Sequence, residues 1–175
     1  LRSIIRNILG KKLFMIVGKL YKAFFFNLNC FISTLPDLKQ GSVLIDIGGG
    51  EGDPINYILE KYPETNVIML DIAEEIGGFL NEENKDRVTM LPKTSISDCL
   101  MLNLPKPDYI LIMDVLHHIK KDDRKELLSN ISRLIDGNKC HIIVKENEPG
   151  YLKTKLGYWA DVYISGDKNT NLVRK

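Results

Sequence analysis

Five short apolar runs constrain this chain most: Val43 to Ile47, Asn66 to Leu70, Arg87 to Leu91, Tyr109 to Met113 and His141 to Val144. Each is too short to be a helix of ordinary length, and most are nearly continuous in apolar side chains, as strands covered on both faces should be. Helical spacing fills the intervals. Asp53-Pro54 marks a helix start, with a capping Asp and a Pro in the first turn, and Ile55, Ile58 and Leu59 share one face. Asp122 to Ile135 predicts a second helix, with Leu127, Leu128, Ile131, Leu134 and Ile135 facing inward. Ala73 to Leu80 predicts a weaker one, damaged by Gly77-Gly78. Strands alternating with helices imply an α/β fold with a doubly wound, mostly parallel sheet.

Ligands of such folds sit beyond the carboxyl ends of the strands. That rule singles out residues 46 to 53, 71 to 72, 92 to 96, 114 to 118 and 145 to 148. The first stretch is "VLIDIGGGEGD", residues 43 to 53. A dinucleotide turn needs G-x-G-x-x-G; Gly48 and Gly50 supply the first two positions, but the third falls on Asp53, whose carboxylate repels a pyrophosphate. The spacing present is instead Asp46 followed by alternating Gly48, Gly50 and Gly52, with Gly49 between. Glycines let the backbone approach a ligand closely, and Asp46 suits a cationic group.

This stretch resembles motif I of class I S-adenosylmethionine-dependent methyltransferases, (D/E)-x-G-x-G-x-G. The cofactor has no phosphate but has a cationic sulfonium and a cationic amino group. The resemblance implies that Asp46, Gly48, Gly49, Gly50 and Gly52 bind it, that Asp71 at the end of "NVIMLDIAEE" accepts its ribose hydroxyls, and that Ile72 lies beside its adenine. By position, "VTMLPKTSISD" lines the adenine; many members carry Asp where Thr94 stands, so Thr94 or Ser95 is expected to take over the hydrogen bond to the adenine amino group.

The likeness extends to "MDVLHHIKKDDRKELLSNISRLID". It is similar to the part of small-molecule methyltransferases where a strand ends in an acidic or polar residue, here Asp114, and continues as V-L-H-H or V-L-H-D, and the resemblance adds Asp114 to the residues expected to bind the cofactor. In the members that methylate hydroxyls, this His takes the proton as oxygen attacks the methyl carbon, and a carboxylate after the next strand orients the ring. Carried onto this sequence, those residues are His117 and Glu146 of "HIIVKENEPG". An unperturbed pKa of about 6.5 suits imidazole to that task. Other members rely on in-line positioning and use no base, so a packing role for His117 stays open.

Composition narrows the function further. A net charge of +1 makes no global case for nucleic acid. The D/N-P-P-Y/F motif of adenine methyltransferases is replaced by "MDVLHH", and no Pro-Cys nucleophile is present. The expected activity is methyl transfer to a small-molecule acceptor, with oxygen favoured. A nucleic-acid or protein methyltransferase and a non-catalytic cofactor-binding partner module are the alternatives. Cys30, Cys99 and Cys140 are widely spaced without a C-x-x-C pair, which points to a reducing cytoplasm and away from disulfides and structural zinc. No metal is expected, since adjacent His117 and His118 diverge and no ligand-spaced carboxylate joins them and His141.

Residues 1 to 36 carry six basic side chains and no acidic one, leaving +1 minus 6, or −5, for the remainder. They are expected to form a helical cap or arm, with residues 37 to 175 the cofactor-binding α/β domain. Residues 1 to 33 have three readings: a lid over the substrate pocket, a membrane-surface contact in which Lys is paired with a Phe cluster, or a homodimerisation arm. No apolar run reaches the roughly 18 to 20 residues that span a bilayer. The chain begins with Leu, and class I domains close with an antiparallel hairpin after the fifth strand, so both ends are expected to be cut and the hairpin missing.

Overall fold

A computed structural model describes residues 28–146. The expectations for residues 1–27 and for the chain beyond Glu146, including most of the cap and the closing hairpin, lie outside the described residues. Helix α1 is Leu28–Thr34, followed by β1 (Val43–Ile47), α2 (Asp53–Lys61), β2 (Asn66–Leu70), β3 (Val88–Leu91), α3 (Ile96–Cys99), β4 (Tyr109–Met113), α4 (Asp123–Ile135) and β5 (His141–Lys145). Glu82–Arg87 and Leu116–His118 form short 3₁₀ helices. Among the described residues no helix is long and apolar enough to cross a membrane.

The five strands form one parallel sheet in the order β3-β2-β1-β4-β5. Strand pleat sends alternate side chains to opposite faces and so makes two cores. On one face Leu44, Val67, Met69, Tyr109 and Leu111 pack with Ile55, Ile58 and Leu59 of α2 and with Phe31 and Ile32 of α1. On the other, Ile45, Ile47, Ile68, Leu70, Ile110 and Ile112 pack with Ile96 of α3 and with Leu127, Ile131 and Leu134 of α4. Each fully buried Leu or Ile contributes about 1.5–3 kcal/mol relative to exposure, so these central strands hold the molecule together. The chain winds both ways from β1, and the order reverses between β1 and β4. A crevice opens there at the carboxyl ends.

Four local expectations are corrected. Ala73 to Leu80 is not helical: Gly77 takes φ +70°, and the amides of Gly77 and Phe79 donate to the carbonyls of Gly50 and Glu51, each at 2.9 Å, instead of closing helical turns. Asp53 does not cap α2; Gly52 occupies that position with φ 78°, and Asp53 is the first helical residue. Leu128 is exposed, whereas Asn130 joins the buried face of α4, because a 100° step carries residue 128 off the face shared by 127, 131 and 134. β5 is not covered on both sides: it is an edge of the described sheet, and Ile142 and Val144 are exposed.

Candidate active site

The glycine turn leaves β1 at the floor of the crevice. Gly48 and Gly49 donate their N–H groups to the carbonyl of Leu70 at 2.8 and 3.1 Å, and Gly52 donates to the carbonyl of Gly49 at 3.0 Å. The amide of Gly50 donates to Asp71 Oδ2 at 3.0 Å. These donors are spent inside the protein. A turn built this way does not present the row of amides that cradles a pyrophosphate.

Side chains close off most of the turn. A Cβ on Gly52 would lie 2.8 Å from Leu80 Cγ, and one on Gly48 would lie 2.5 Å from Val115 Cγ2. Gly49 has no room either, since its Cβ would meet Met69 and the Asp46 carboxylate. Gly50 differs. With φ +51°, its nearest neighbours would be Gly48 O at 3.9 Å and Asp71 Oδ2 at 4.0 Å, so it is the glycine that faces open space. Loop 77–84 walls the turn and is pinned by buried Asn56, which donates to Phe79 O at 2.8 Å and accepts from the Asn81 amide at 2.9 Å and the Asn84 side chain at 3.0 Å. Nothing in the sequence marks Asn56, Leu80 or Val115 as supports; the Gly77-Gly78 pair is the available signal, since it ends helix and permits the turn.

Two carboxylates flank the open glycine. Asp71, half-buried after β2, accepts the Gly50 amide on one oxygen and the Ala73 amide on the other at 2.8 Å, leaving lone pairs on both for further donors. Asp46 is 3% exposed. Burial, and then the charge of Asp71, push its carboxyl up to about 7. The site is therefore short of positive charge beside Gly49 and Gly50.

Ile72, next to Asp71, is 80% exposed and presents an apolar face above the crevice. Thr94 lies across from it: its amide donates to the Asp71 carbonyl at 3.0 Å and its hydroxyl to the Pro92 carbonyl at 3.0 Å. The side chain of Ser95 is engaged in a capping box on α3, accepting from the Asp98 amide and bonding the Asp98 carboxylate at 2.6 Å.

Beyond β4 the chain turns sharply. Asp114 adopts φ +55°, and the 3₁₀ turn Leu116–His118 swings His117 back over the sheet into a buried position. Glu146, just past β5, reaches it: His117 Nδ1 lies 2.7 Å from Glu146 Oε2, and the other carboxylate oxygen accepts the Leu116 amide at 2.6 Å. Burial alone would raise the Glu146 carboxyl, but the hydrogen bond and charge attraction of His117 and the Leu116 and Val115 amides outweigh it and hold the group below the ordinary range. His118 is exposed beside His117, their ring centres 4.0 Å apart. His141 is remote, stacked on Tyr109 at the amino ends of the strands.

The three histidines thus do not converge, but carboxylates do reach His117. One donor atom each of Asp114, His117 and Glu146 lies within 4.8 Å of the others, a grouping invisible in the spacing of the sequence. These groups already have partners. Lys145 Nζ spans both oxygens of Asp114 at 2.7 and 2.6 Å, and Glu146 is bound by His117 and the Leu116 amide. Together with Lys145 they form a network of charged and hydrogen-bonded groups. Lys145 opens the strand-end stretch 145 to 148, but its spacing alone assigns it no partner.

The family model for the O-methyltransferase domain matches residues 28–163. The chain is 30% identical over 113 residues to sterigmatocystin 8-O-methyltransferase of Aspergillus parasiticus, covering 62% of this chain and 25% of that protein. It is 25% identical over 112 residues to myricetin 3'-O-methyltransferase 4 of Solanum lycopersicum, covering 64% of this chain and 29% of that protein. The chain thus spans about a quarter of the length of these relatives. Among solved structures it is similar to human N-acetylserotonin methyltransferase in complex with SAM, with TM-score 0.59 and 20% identity over 82% of this chain and 41% of the other. An O-methyltransferase family 2 protein of Planctomyces limnophilus in complex with apigenin superposes with TM-score 0.59 and 22% identity over 76% of this chain and 44% of the other. At such identities the solved structures speak for the fold, and the family match carries the assignment: the chain belongs to the O-methyltransferase family of S-adenosylmethionine-dependent methyltransferases.

Proposed function

We propose that the protein transfers a methyl group from S-adenosylmethionine to a hydroxyl of a small-molecule acceptor, with His117 as general base. The contact between His117 Nδ1 and Glu146 Oε2, 2.7 Å apart at the carboxyl ends of the strands, carries this reading. The residues around the glycine turn fit the cofactor. Gly50 opens onto space that a side chain would fill, Asp46 and Asp71 supply anionic acceptors, and the turn's amides are not arranged for phosphate. Asp46 balances the cationic amino end directly or through water, Asp71 accepts the ribose hydroxyls, and Ile72 covers the adenine. Thr94 is the better placed partner for the adenine amino group, since Ser95 is committed to capping α3.

When bound, the cofactor supplies a methyl group on a cationic sulfonium sulfur, which departs with the carbon–sulfur bonding pair as a neutral thioether. Glu146 fixes the imidazole through Nδ1, so His117 takes the acceptor's hydroxyl proton on Nε2 as the oxygen–carbon bond forms. The carboxylate then stabilises the imidazolium. Cys30, Cys99 and Cys140, widely spaced and without a C-x-x-C pair, support a reducing, cytoplasmic setting.

The test is methyl transfer by the full-length protein from isotopically labelled S-adenosylmethionine to a panel of phenols and aliphatic alcohols. Labelled methyl ether together with S-adenosylhomocysteine is expected. Tight cofactor binding without transfer to any hydroxyl, amine or carbon acceptor would point instead to a non-catalytic binding module.

A further inference from the structure

Resting on the reading of His117 as base, we propose that Lys145 is a positioning residue that keeps the His117 imidazole neutral, and so able to accept a proton, by neutralising Asp114. Two carboxylates approach this one ring: Asp114 from the end of β4 and Glu146 from the end of β5, with donor atoms of all three within 4.8 Å. A negative charge at that distance favours the protonated form of an imidazole. Glu146 is required to orient the ring. Asp114 is held by Lys145, and its charge, if unshielded, would hold a proton on His117 that the reaction needs to be absent.

Lys145 removes that charge. Its ammonium lies 2.7 and 2.6 Å from the two Asp114 oxygens, and its side chain is 17% exposed, so the pairing is only partly screened by water. The Asp114 amide in turn donates to the Lys145 carbonyl at 2.9 Å. Together these bonds hold Asp114 in its left-handed conformation and clasp the ends of β4 and β5, from which His117 and Glu146 depart. The other charged and titratable groups facing this turn among the described residues are His118, its ring against that of His117, and Arg124 of α4, whose Nε donates to the carbonyls of Leu116 and Ile119 at 3.1 Å each. Arg124 binds backbone, whereas Lys145 bonds a carboxylate of this cluster directly.

The experiment is an NMR titration of His117 in the full-length protein, alongside the pH profile of kcat/KM. Lys145→Met is expected to raise the His117 midpoint by about 0.5 to 1 pH unit, moving the acid limb with it. By that same shift, kcat/KM falls roughly threefold to tenfold at pH 6 and stays within about twofold of wild type at pH 9. Lys145→Arg restores the wild-type midpoint, Asp114→Asn lowers it, and the double variant D114N/K145M returns towards wild type. A purely structural role would alter rates without moving the midpoint in opposite directions in the two single variants. An unmoved midpoint in Lys145→Met overturns the proposal; if that variant does not fold, an unmoved midpoint in Asp114→Asn does so. A midpoint that moves while the acid limb stays fixed supports the control of His117 by Lys145 and removes His117 as the base.

Discussion

His117 and Glu146 stand 29 positions apart in the chain, yet Nδ1 of one lies 2.7 Å from Oε2 of the other. The contact forms because β4 and β5 are adjacent and parallel, so both residues leave the sheet at the same end. The Leu116 amide holds the second carboxylate oxygen, which fixes the ring relative to the backbone that carries it. Such a pair orients a base and later stabilises its charge.

Replacing His117 by Ala should lower kcat about 10²-fold or more, the usual contribution of a positioned base, with cofactor affinity retained. Steady-state rates together with calorimetry on the same sample check this. An unchanged kcat would remove the imidazole from the mechanism.

Glu146→Gln keeps the shape of the side chain but removes its charge. Turnover should fall by about tenfold to a hundredfold with KM little altered, since the lost interaction strengthens only as the imidazolium forms. A large rise in KM with kcat intact would mean that the carboxylate serves acceptor binding.

Asp46 should make stability and, at the proposed site, cofactor binding pH-dependent. Its carboxyl has an ordinary value of 3.8 and a folded value of about 7, so between these the native state holds a proton that the unfolded chain has released. Stability from this group is therefore full below about pH 4, falls as pH rises towards about 7 and levels off above. Asp46→Asn should make the ligand-free protein more stable than wild type above pH 7, with the gain vanishing near pH 4. A cationic ligand group must also displace the proton, so affinity should weaken below about pH 7 in the wild type alone. Thermal melts and calorimetry in buffers of different ionisation heat measure both effects.

Asp71→Ala should weaken S-adenosylmethionine binding by about 1 to 3 kcal/mol through loss of hydrogen bonds to a charged acceptor. The Gly50 amide loses its acceptor at the same time, which adds to the effect. Equal affinity for the cofactor in this variant would place the ribose elsewhere.

Gly50→Ala and Gly52→Ala separate ligand clearance from folding. Both positions have positive φ, which costs an L-residue about 1 to 2 kcal/mol. Alanine at position 50 meets only open space, so it should cost little beyond that strain while abolishing cofactor binding. Alanine at 52 also collides with Leu80 at 2.8 Å and should melt at a lower temperature than the position-50 variant. Melting curves with and without S-adenosylhomocysteine discriminate the two.

The strands were legible because their apolar runs are continuous: four of the five begin where the sequence placed them, and β3 differs only in starting at Val88 rather than Arg87. Asp46, the glycines and Asp71 could be picked out because the turn and the carboxylates that flank it are tied to strand ends by short, local spacing. The helix expected over Ala73 to Leu80 failed because its amides found partners on the glycine turn, more than 20 positions earlier. Lys145 lies in the strand-end stretch 145 to 148, but nothing near it in sequence announces its bond to Asp114 31 positions away.

An α/β sheet and a glycine turn suited to S-adenosylmethionine follow from residue order, since strand patterning and glycine spacing are short-range properties that it encodes directly. Which glycine opens onto the crevice, how far Asp46 is pushed from its ordinary ionisation, and which charges surround His117 emerge from the folded arrangement. Those depend on desolvation and on contacts between strands that neighbour each other in the sheet but are distant in the chain, and electrostatic energy follows distance in space.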